Sequence, residues 1–333
     1  MGDWRVIGHE WAVDFLTAGL RHGRTRHAYL ITGGQNIGKR TFAHSFAAAL
    51  NCTHEAVEQR PCWQCRSCKW VLSGNHPDLI YAANDEVTGA IRIDAVREVI
   101  QQLALKPFIA RCRIALFDEF DRAAPRTQDA LLKTIEEPPP HAVILLLAQR
   151  SEHILPTIRS RCQALPLRPA STERVRQLLV ERGAPDDRAM LLARLSSGRV
   201  GWALQALENP DVLEDRDNIL NLLSEAVRGS RLKRFNIAEM ISAQATKDRD
   251  ALRYLLEMWQ TYWRDVVLYA CGAPTKPCNT DRLVEIQQWA QRIPREAALQ
   301  ALQTTRRTLY VTLETNASVR LALEALMLAY PRY

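Results

Sequence analysis

The sequence predicts an α/β fold, in which helices cover both faces of a largely parallel sheet, followed by a region built only of helices. Apolar runs at 28–32, 113–120 and 142–149 alternate with stretches of helical spacing, which predicts the parallel sheet. Beyond about residue 166 the strand-like runs end, and helical periodicity continues to Tyr333. We therefore expect three domains, over residues 1–166, 167–210 and 211–333.

Composition places the chain among soluble proteins. Its 333 residues exceed the usual size of one hydrophobic core, and its net charge of +7 permits contact with a polyanion without requiring it. No stretch approaches the roughly 20 apolar residues of a membrane helix, and the N-terminus lacks the basic-then-apolar order of a secretory signal. We expect a cytoplasmic protein with no membrane partner.

A glycine-rich loop follows the first predicted strand and precedes a stretch of helical spacing. Its sequence, GGQNIGKRTF, meets the phosphate-binding pattern G-x-x-x-x-G-K at Gly33, Gly38 and Lys39. The next position, where a hydroxyl would ligate magnesium, holds Arg40, and Thr41 comes one residue late. A guanidinium there repels a second cation, so we expect metal binding to suffer most and ATP hydrolysis to be lost. Nucleotide binding itself stays open.

Four cysteines follow the first predicted helix. Cys52, Cys62, Cys65 and Cys68 have the spacing C-x9-C-x2-C-x2-C. Four thiolates at this density suit a tetrahedral zinc ion with Zn–S bonds of about 2.3 Å, and such a closed site is structural because no position is left for water. The alternative is four unrelated buried thiols, since disulfides are not expected in a cytosolic chain. We predict a zinc module over about residues 52–68.

The second predicted strand ends in two acidic residues, Asp118 and Glu119. In a nucleotide-hydrolysing enzyme the Asp holds the hydration shell of magnesium and the Glu polarises the attacking water. Alone, such residues are equally consistent with a solvated loop, but after a phosphate-binding loop they favour a nucleotide site. The helical stretch TQDALLKTIEE, which Pro138 to Pro140 end, separates this strand from the third.

Just past the third strand comes the sequence TIRSRC, which contains Ser160, Arg161 and Cys162. An arginine at this place could project from the surface and stabilise the charge on a phosphate that a neighbouring subunit transfers. This is the role of an arginine finger. The alternative is a surface arginine without such a role.

The remaining chain predicts helices. STERVRQLLVERG, DRAMLLARLSSG and VGWALQALENP indicate three short ones, and longer helices occupy the C-terminal third. The apolar faces of the last helices would either contact other subunits or fill the core of a monomeric domain. Their apolar residues include Trp259, Trp263, Leu321, Leu323, Leu326 and Leu328.

In this order, the motifs resemble the bacterial clamp-loader family of the AAA+ class. The cysteines after the first helix, the run ALLKTIEEPP at 130–139 and the Ser-Arg-Cys motif at 160–162 are features of its gamma/tau and delta-prime branches. The resemblance is clear over about residues 5–165 and weaker beyond. It implies a P-loop AAA+ domain with a zinc insertion, a small helical lid and an all-α C-terminal collar.

Two departures favour the delta-prime branch, whose phosphate-binding loop is typically degraded, over gamma/tau, whose loop ends G-K-T-S. One is Arg40, and the other is Gly201, which aligns where active members carry an arginine that reaches the gamma-phosphate. The resemblance then implies a subunit that is not itself an enzyme. Its degenerate nucleotide site would comprise Gly33, Gly38, Lys39, Thr41, Asp118 and Glu119.

The resemblance also implies partners. The family assembles one delta, three gamma/tau and one delta-prime subunit into a pentamer that sets a sliding clamp on primed DNA at the bacterial replication fork. Arg161, within its Ser160 and Cys162 motif, would reach the ATP site of an adjacent gamma/tau subunit. Contact with DNA and clamp would come through the assembled complex.

Two alternatives stay open. The first is an active gamma/tau-like ATPase, against which Arg40 and Gly201 argue. The second is a zinc-dependent nucleic-acid-binding module, in which the nucleotide fold serves only as a scaffold. Tight, salt-sensitive binding of DNA by the isolated chain would support it.

Overall fold

The protein is described by a computed structural model that covers residues 2–85, 89–315 and 317–333. It divides into two compact units. The first comprises Met1–Val175 with Gly198–Trp202, and the second comprises Arg176–Ser197 with Ala203–Tyr333. The boundaries predicted near 166 and 210 stay predictions. No helix in the described ranges is both long and apolar enough to cross a bilayer.

A five-stranded sheet in the order β2-β3-β4-β1-β5 forms the centre of the first unit, and every neighbouring pair is parallel. Its strands are β1 (Ala28–Thr32), β2 (Leu79–Tyr81), β3 (Arg113–Phe117), β4 (Ala142–Ala148) and β5 (Gln163–Pro166). All seven residues of β4 are buried, as expected for a central strand covered on both faces. The predicted parallel sheet is confirmed.

Helices cover the two faces of this sheet, and alternate strand residues point into two separate apolar cores. On one face Ile31 and Leu145 pack with the first three helices, and on the other Leu30 and Ile144 pack with the next two. The helices of this part are α1 (Glu10–Arg21), α2 (Lys39–Asn51), α3 (Arg66–Leu72), α4 (Ile93–Leu103), α5 (Pro125–Glu136) and α6 (Pro156–Arg159). Because the carboxyl ends of parallel strands share one edge, the loops after β1 and β3 meet there.

In the part of the chain that the structure describes, the elements after β5 are all helices, as the sequence predicts. Three are short: α7 (Thr172–Glu181), α8 (Asp186–Leu195) and α9 (Val200–Glu208). Six more complete the second unit: α10 (Asp211–Arg228), α11 (Arg231–Ala245), α12 (Arg249–Ala270), α13 (Leu283–Arg292), α14 (Arg295–Glu314) and α15 (Val319–Ala329). Their core is aromatic, because Trp259, Trp263 and Trp289 are all fully buried.

Helix α15 is apolar on two faces. Leu323 and Leu326 are fully buried in the core of the second unit, whereas Leu321 and Leu328 are 65% and 55% exposed. The two exposed leucines lie seven residues apart and therefore occupy the same side of the helix. The six apolar residues singled out in the sequence thus divide into four core positions, which include Trp259 and Trp263, and two surface positions.

A buried arginine joins the ends of two helices in the second unit. Arg234 of α11 donates hydrogen bonds at 2.7–3.0 Å to five backbone carbonyls. Two of them, those of Ala226 and Val227, lie in the last turn of α10. The carbonyl of Met327 lies in the last turn of α15, and those of Tyr330 and Pro331 follow that helix. The last carbonyls of a helix have no hydrogen-bond donor within that helix, and here the Arg234 side chain supplies donors to both helices.

Candidate functional site

The phosphate-binding loop lies between β1 and α2, as predicted. Gly38 precedes the helix at φ 101°, a conformation that favours glycine, and a Cβ there would meet no atom within 4 Å. The Lys39 ammonium donates to the carbonyls of Gly33 at 2.7 Å and Gly34 at 2.8 Å. Burial lowers the pKa of Lys39, while Asp121 and other nearby carboxylates act in the opposite direction.

Arg40 lies against the acidic end of β3. Its Nε is 3.6 Å from Oδ2 of Asp118, and Thr41 is exposed at the start of α2. In a magnesium site the Asp118 carboxylate would face the metal's water shell and a hydroxyl would directly follow the lysine. Here an arginine follows the lysine in place of that hydroxyl, and its guanidinium forms an ion pair with the carboxylate. This set of donors does not fit a magnesium ion.

Glu119 also forms an ion pair with an arginine. It has a left-handed backbone conformation, with φ 49°, and its carboxylate pairs with Arg122 at 2.8 Å. The next acidic residue, Asp121, accepts hydrogen bonds from the backbone N–H groups of Gln149 and Arg150 at 3.0 and 3.2 Å. Asp121 therefore ties the end of β3 to the end of β4. Sequence reasoning missed this role, although a third acidic residue after the strand was the available signal.

Gly201 contacts the phosphate-binding loop within the first unit. Its N–H donates to the carbonyl of Asn36 at 2.7 Å, and a Cβ at this position would lie 3.0 Å from the same oxygen. The two backbones approach so closely here that any side chain at this position would require the loop to shift slightly. The residue at which the resemblance implies the loss of an arginine is thus next to the loop that this arginine would serve.

The four cysteines predicted to bind zinc come together between the end of α2 and the start of α3. The sulfur atoms of Cys52, Cys62, Cys65 and Cys68 all lie within 4.8 Å of one another. A tetrahedral Zn–S₄ centre requires sulfur–sulfur distances of about 3.8 Å, so a small contraction would complete it. Burial raises the pKa of the Cys65 thiol, but hydrogen bonds from Thr53 and Cys68 outweigh this effect and lower it to about 6.

Polar contacts anchor the cysteine module. Arg60 is buried and donates to the carbonyls of His54 at 2.7 Å and Glu55 at 3.3 Å, so it holds the loop between the first two cysteines. The Trp63 indole donates to the carbonyl of Asp3, and the Arg66 guanidinium lies 4.2 Å from the centre of the Trp70 ring. These contacts hold the segment around the four cysteines in a compact structural module.

Arg161 lies at the turn between α6 and β5, where its side chain is 41% exposed. One guanidinium nitrogen donates to the Thr157 carbonyl at 3.0 Å and to the Ser160 hydroxyl at 3.3 Å, and the other lies 2.8 Å from a carboxylate oxygen of Glu136. Cys162 packs inward, and burial raises the pKa of its thiol to about 12, which favours the protonated form.

The predicted residues thus form three groups. The phosphate-binding loop and Asp118 meet through Arg40, the four cysteines form one cluster, and Arg161 projects at a separate turn with Glu136 as its partner. The carboxylate partners of Arg40 and Arg161 could not be identified from the sequence, because each ion pair joins residues that are distant along the chain.

Comparisons with known proteins show which proteins the chain is similar to. A family model described as "DNA polymerase III, delta subunit" matches residues 8–171. The chain is 27% identical over 321 residues to DNA polymerase III subunit delta' of Bacillus subtilis, covering 95% of this chain and 94% of that protein. It is 32% identical over 214 residues to subunit delta' of Pseudomonas aeruginosa, covering 62% and 64% respectively.

The tau/gamma subunit of the polymerase is also similar. The chain is 32% identical over 227 residues to DNA polymerase III subunit tau/gamma of Haemophilus influenzae, a match that covers 66% of this chain. The matched part is only 32% of that relative's length.

Proposed function

Because the chain belongs to the clamp-loader family of AAA+ proteins, we propose that it is a delta-prime-type subunit of the bacterial DNA polymerase III clamp loader. Its role would be that of a stator, which hydrolyses no ATP itself and acts in the cytoplasm at the replication fork. The match to a delta' subunit over 94% of that protein's length supports the choice of branch.

One observation carries the proposed lack of hydrolysis: the ion pair between Arg40 and Asp118. Hydrolysis of ATP needs magnesium to bridge the phosphates and neutralise the charge that develops on them. With Arg40 in the place of the ligating hydroxyl, the metal would have to displace a guanidinium from the carboxylate that holds its waters. Gly201 beside the loop supports the same proposal, since it has no side chain to reach a phosphate.

Arg161 would contribute to catalysis in a neighbouring gamma/tau subunit. Its guanidinium is partly exposed at a turn whose backbone is fixed by the buried side chain of Ile158 and the packed side chain of Cys162. A guanidinium presented in this way can stabilise the charge on a transferring phosphoryl group, and arginine fingers contribute about 10³ to 10⁵ in rate in related reactions.

Two further features support a place in an assembly. Cys52, Cys62, Cys65 and Cys68 would hold a structural zinc ion that fixes the loop between α2 and α3, with all four positions taken by protein. The exposed leucines of α15, Leu321 and Leu328, would pack against the C-terminal helices of gamma/tau and delta subunits. Primed DNA and the sliding clamp would be contacted by the assembled complex.

The test measures ATP turnover by the purified chain alone and by a complex reconstituted with gamma/tau and delta subunits. We expect none from the chain alone. In the complex, we expect the DNA-stimulated rate to fall at least tenfold when Arg161→Ala replaces the wild type. Robust magnesium-dependent turnover by the isolated chain would show a motor in its own right, and an unchanged rate with Arg161→Ala would remove the proposed role of the arginine.

A second candidate is an active gamma/tau-like ATPase. The position of Lys39 favours it, because its ammonium lies on the carbonyls of Gly33 and Gly34 at the mouth of the phosphate-binding loop, ready to meet a phosphate. The same turnover measurement separates the two candidates.

A further inference from the structure

The guanidinium of Arg161 has a fixed orientation in the chain on its own. The Thr157 carbonyl, the Ser160 hydroxyl and the Glu136 carboxylate accept from it at 3.0, 3.3 and 2.8 Å. These contacts use three of the five N–H donors of an arginine, so within the described part of the chain two donors remain for an anion. The side chain is therefore both held and available.

Glu136 supplies the charged contact, and its own position is unusual. It is the last residue of α5, and Glu137 adopts a non-helical conformation before Pro138. A carboxylate is unfavourable at the C-terminus of a helix, where the dipole is negative and cations are preferred. Helix stability therefore does not explain this carboxylate, whereas its contact with Arg161 does.

We propose that Glu136 is a positioning residue, which holds the Arg161 guanidinium in the orientation that meets the phosphate of a nucleotide bound to the neighbouring subunit. The inference rests on the proposed function of Arg161. Glu136 touches no substrate in this scheme and acts only through the arginine.

Removing the Glu136 carboxylate should have a small effect on stability and a larger one on the rate of ATP hydrolysis. Both side chains are half exposed, at 41% and 47%, so the ion pair contributes little to folding. Because Glu136 already holds one edge of the Arg161 guanidinium, this side chain loses less rotamer freedom when the transition state forms than an unheld arginine would. This smaller entropy loss favours hydrolysis of ATP in the neighbouring subunit. Removing Glu136 would therefore lower kcat in the assembly and leave KM for ATP unchanged.

The experiment compares four variants in the reconstituted complex: Glu136→Ala, Glu136→Gln, Arg161→Ala and Glu137→Ala. We expect Glu136→Ala to lower kcat about two- to fivefold, in line with the strength of an exposed ion pair. Glu136→Gln should lie between it and the wild type, because the amide oxygen still accepts. Glu137→Ala, which removes the adjacent exposed carboxylate, is the matched control and should leave kcat unchanged.

Two additional readouts distinguish positioning from folding. The unfolding temperature of Glu136→Ala should match that of the wild type, and the double variant with Arg161→Ala should be no slower than Arg161→Ala alone. A rate for Glu136→Ala that equals or exceeds the wild-type rate, while Arg161→Ala is slow, would overturn this inference and leave the proposed function intact. An unaffected Arg161→Ala complex would overturn this inference together with the proposed role of Arg161.

Discussion

The guanidinium of Arg40 pairs with the carboxylate of Asp118 across 3.6 Å, at the point where the start of α2 meets the end of β3. A phosphate-binding loop normally brings a hydroxyl and a metal to this place. The loop here keeps its glycines and its lysine but has a side-chain cation next to the acidic strand end.

The first prediction concerns this pair. Arg40→Thr removes the competing cation and restores a hydroxyl after Lys39. We therefore expect this variant to bind ATP at least about tenfold more tightly than the wild type in the presence of magnesium. Titration of a fluorescent ATP analogue with and without magnesium measures the change. Arg126→Thr, at an exposed position at the start of α5, is the control. Equal affinity for wild type and Arg40→Thr would show that Arg40 does not block the metal.

The second prediction concerns the cysteine module. Removing the metal by chelation, or substituting Cys68→Ser, should lower the unfolding temperature by about 4 to 8 °C, because a structural metal stabilises the fold that binds it. Metal analysis of the purified chain should find one zinc per molecule in the wild type and none in Cys68→Ser. Cys271→Ser, which alters an exposed cysteine outside the cluster, should retain both zinc and stability. A wild-type chain that is free of zinc and equally stable would contradict this prediction.

The third prediction concerns Asp78, which is fully buried and accepts from the backbone N–H groups of Phe108, Ile109 and Ala110 at 2.6 to 3.0 Å. Burial raises the pKa of Asp78, but these hydrogen bonds outweigh it, so the folded pKa lies below the unfolded one. The stability that the carboxylate provides is therefore present above the unfolded pKa, near 3.9, and is lost as the pH falls through the folded value.

Asp78→Asn should accordingly reduce the free energy of unfolding at pH 7 by about 1 to 3 kcal/mol, and the difference from the wild type should shrink below about pH 4. Chemical denaturation between pH 7 and pH 3 measures it. Asp94→Asn, in the exposed first turn of α4, should cost less than about 0.5 kcal/mol. A difference that stays constant over this pH range would contradict the assigned role of the carboxylate.

The fourth prediction concerns Arg234. Arg234→Met removes the side-chain donor of five carbonyls at or just beyond the ends of α10 and α15, so we expect the free energy of unfolding to fall by about 3 kcal/mol or more. Scanning calorimetry should show this loss as an earlier unfolding transition. Arg231→Met, an exposed arginine in the first turn of α11, should leave the transition in place. Similar behaviour of the two variants would mean that water replaces the arginine without cost.

The fifth prediction concerns the outer face of α15. Leu321→Asp with Leu328→Asp should prevent assembly with gamma/tau and delta subunits, because charges would enter an apolar contact. The unfolding temperature should be unchanged, since both side chains are exposed. Size-exclusion chromatography of the mixed subunits measures assembly, with Val284→Asp, an exposed residue of α13, as the control. Normal assembly of the double variant would place the interface elsewhere.

Local pattern predicted much of this protein. The parallel sheet follows from apolar runs that alternate with helical spacing, and the loop at Gly33 to Lys39 follows from a motif whose residues are close in sequence. The cluster of Cys52, Cys62, Cys65 and Cys68 could be predicted equally well, because its ligands lie within one short segment. Each of these features is determined by neighbouring residues, so the sequence alone reveals it.

Tertiary structure decided what depends on residues far apart in the chain. Leu321 lies on the surface and Leu323 in the core because the other helices cover only one side of α15. Both residues are leucines, so their apolar character does not distinguish them. The pairing of Arg40 with Asp118 and of Arg161 with Glu136 depends on which strand ends and helix ends the sheet brings together. The sequence does not show which distant residue a charged side chain pairs with, because the packing of the whole sheet sets the distance between the two side chains.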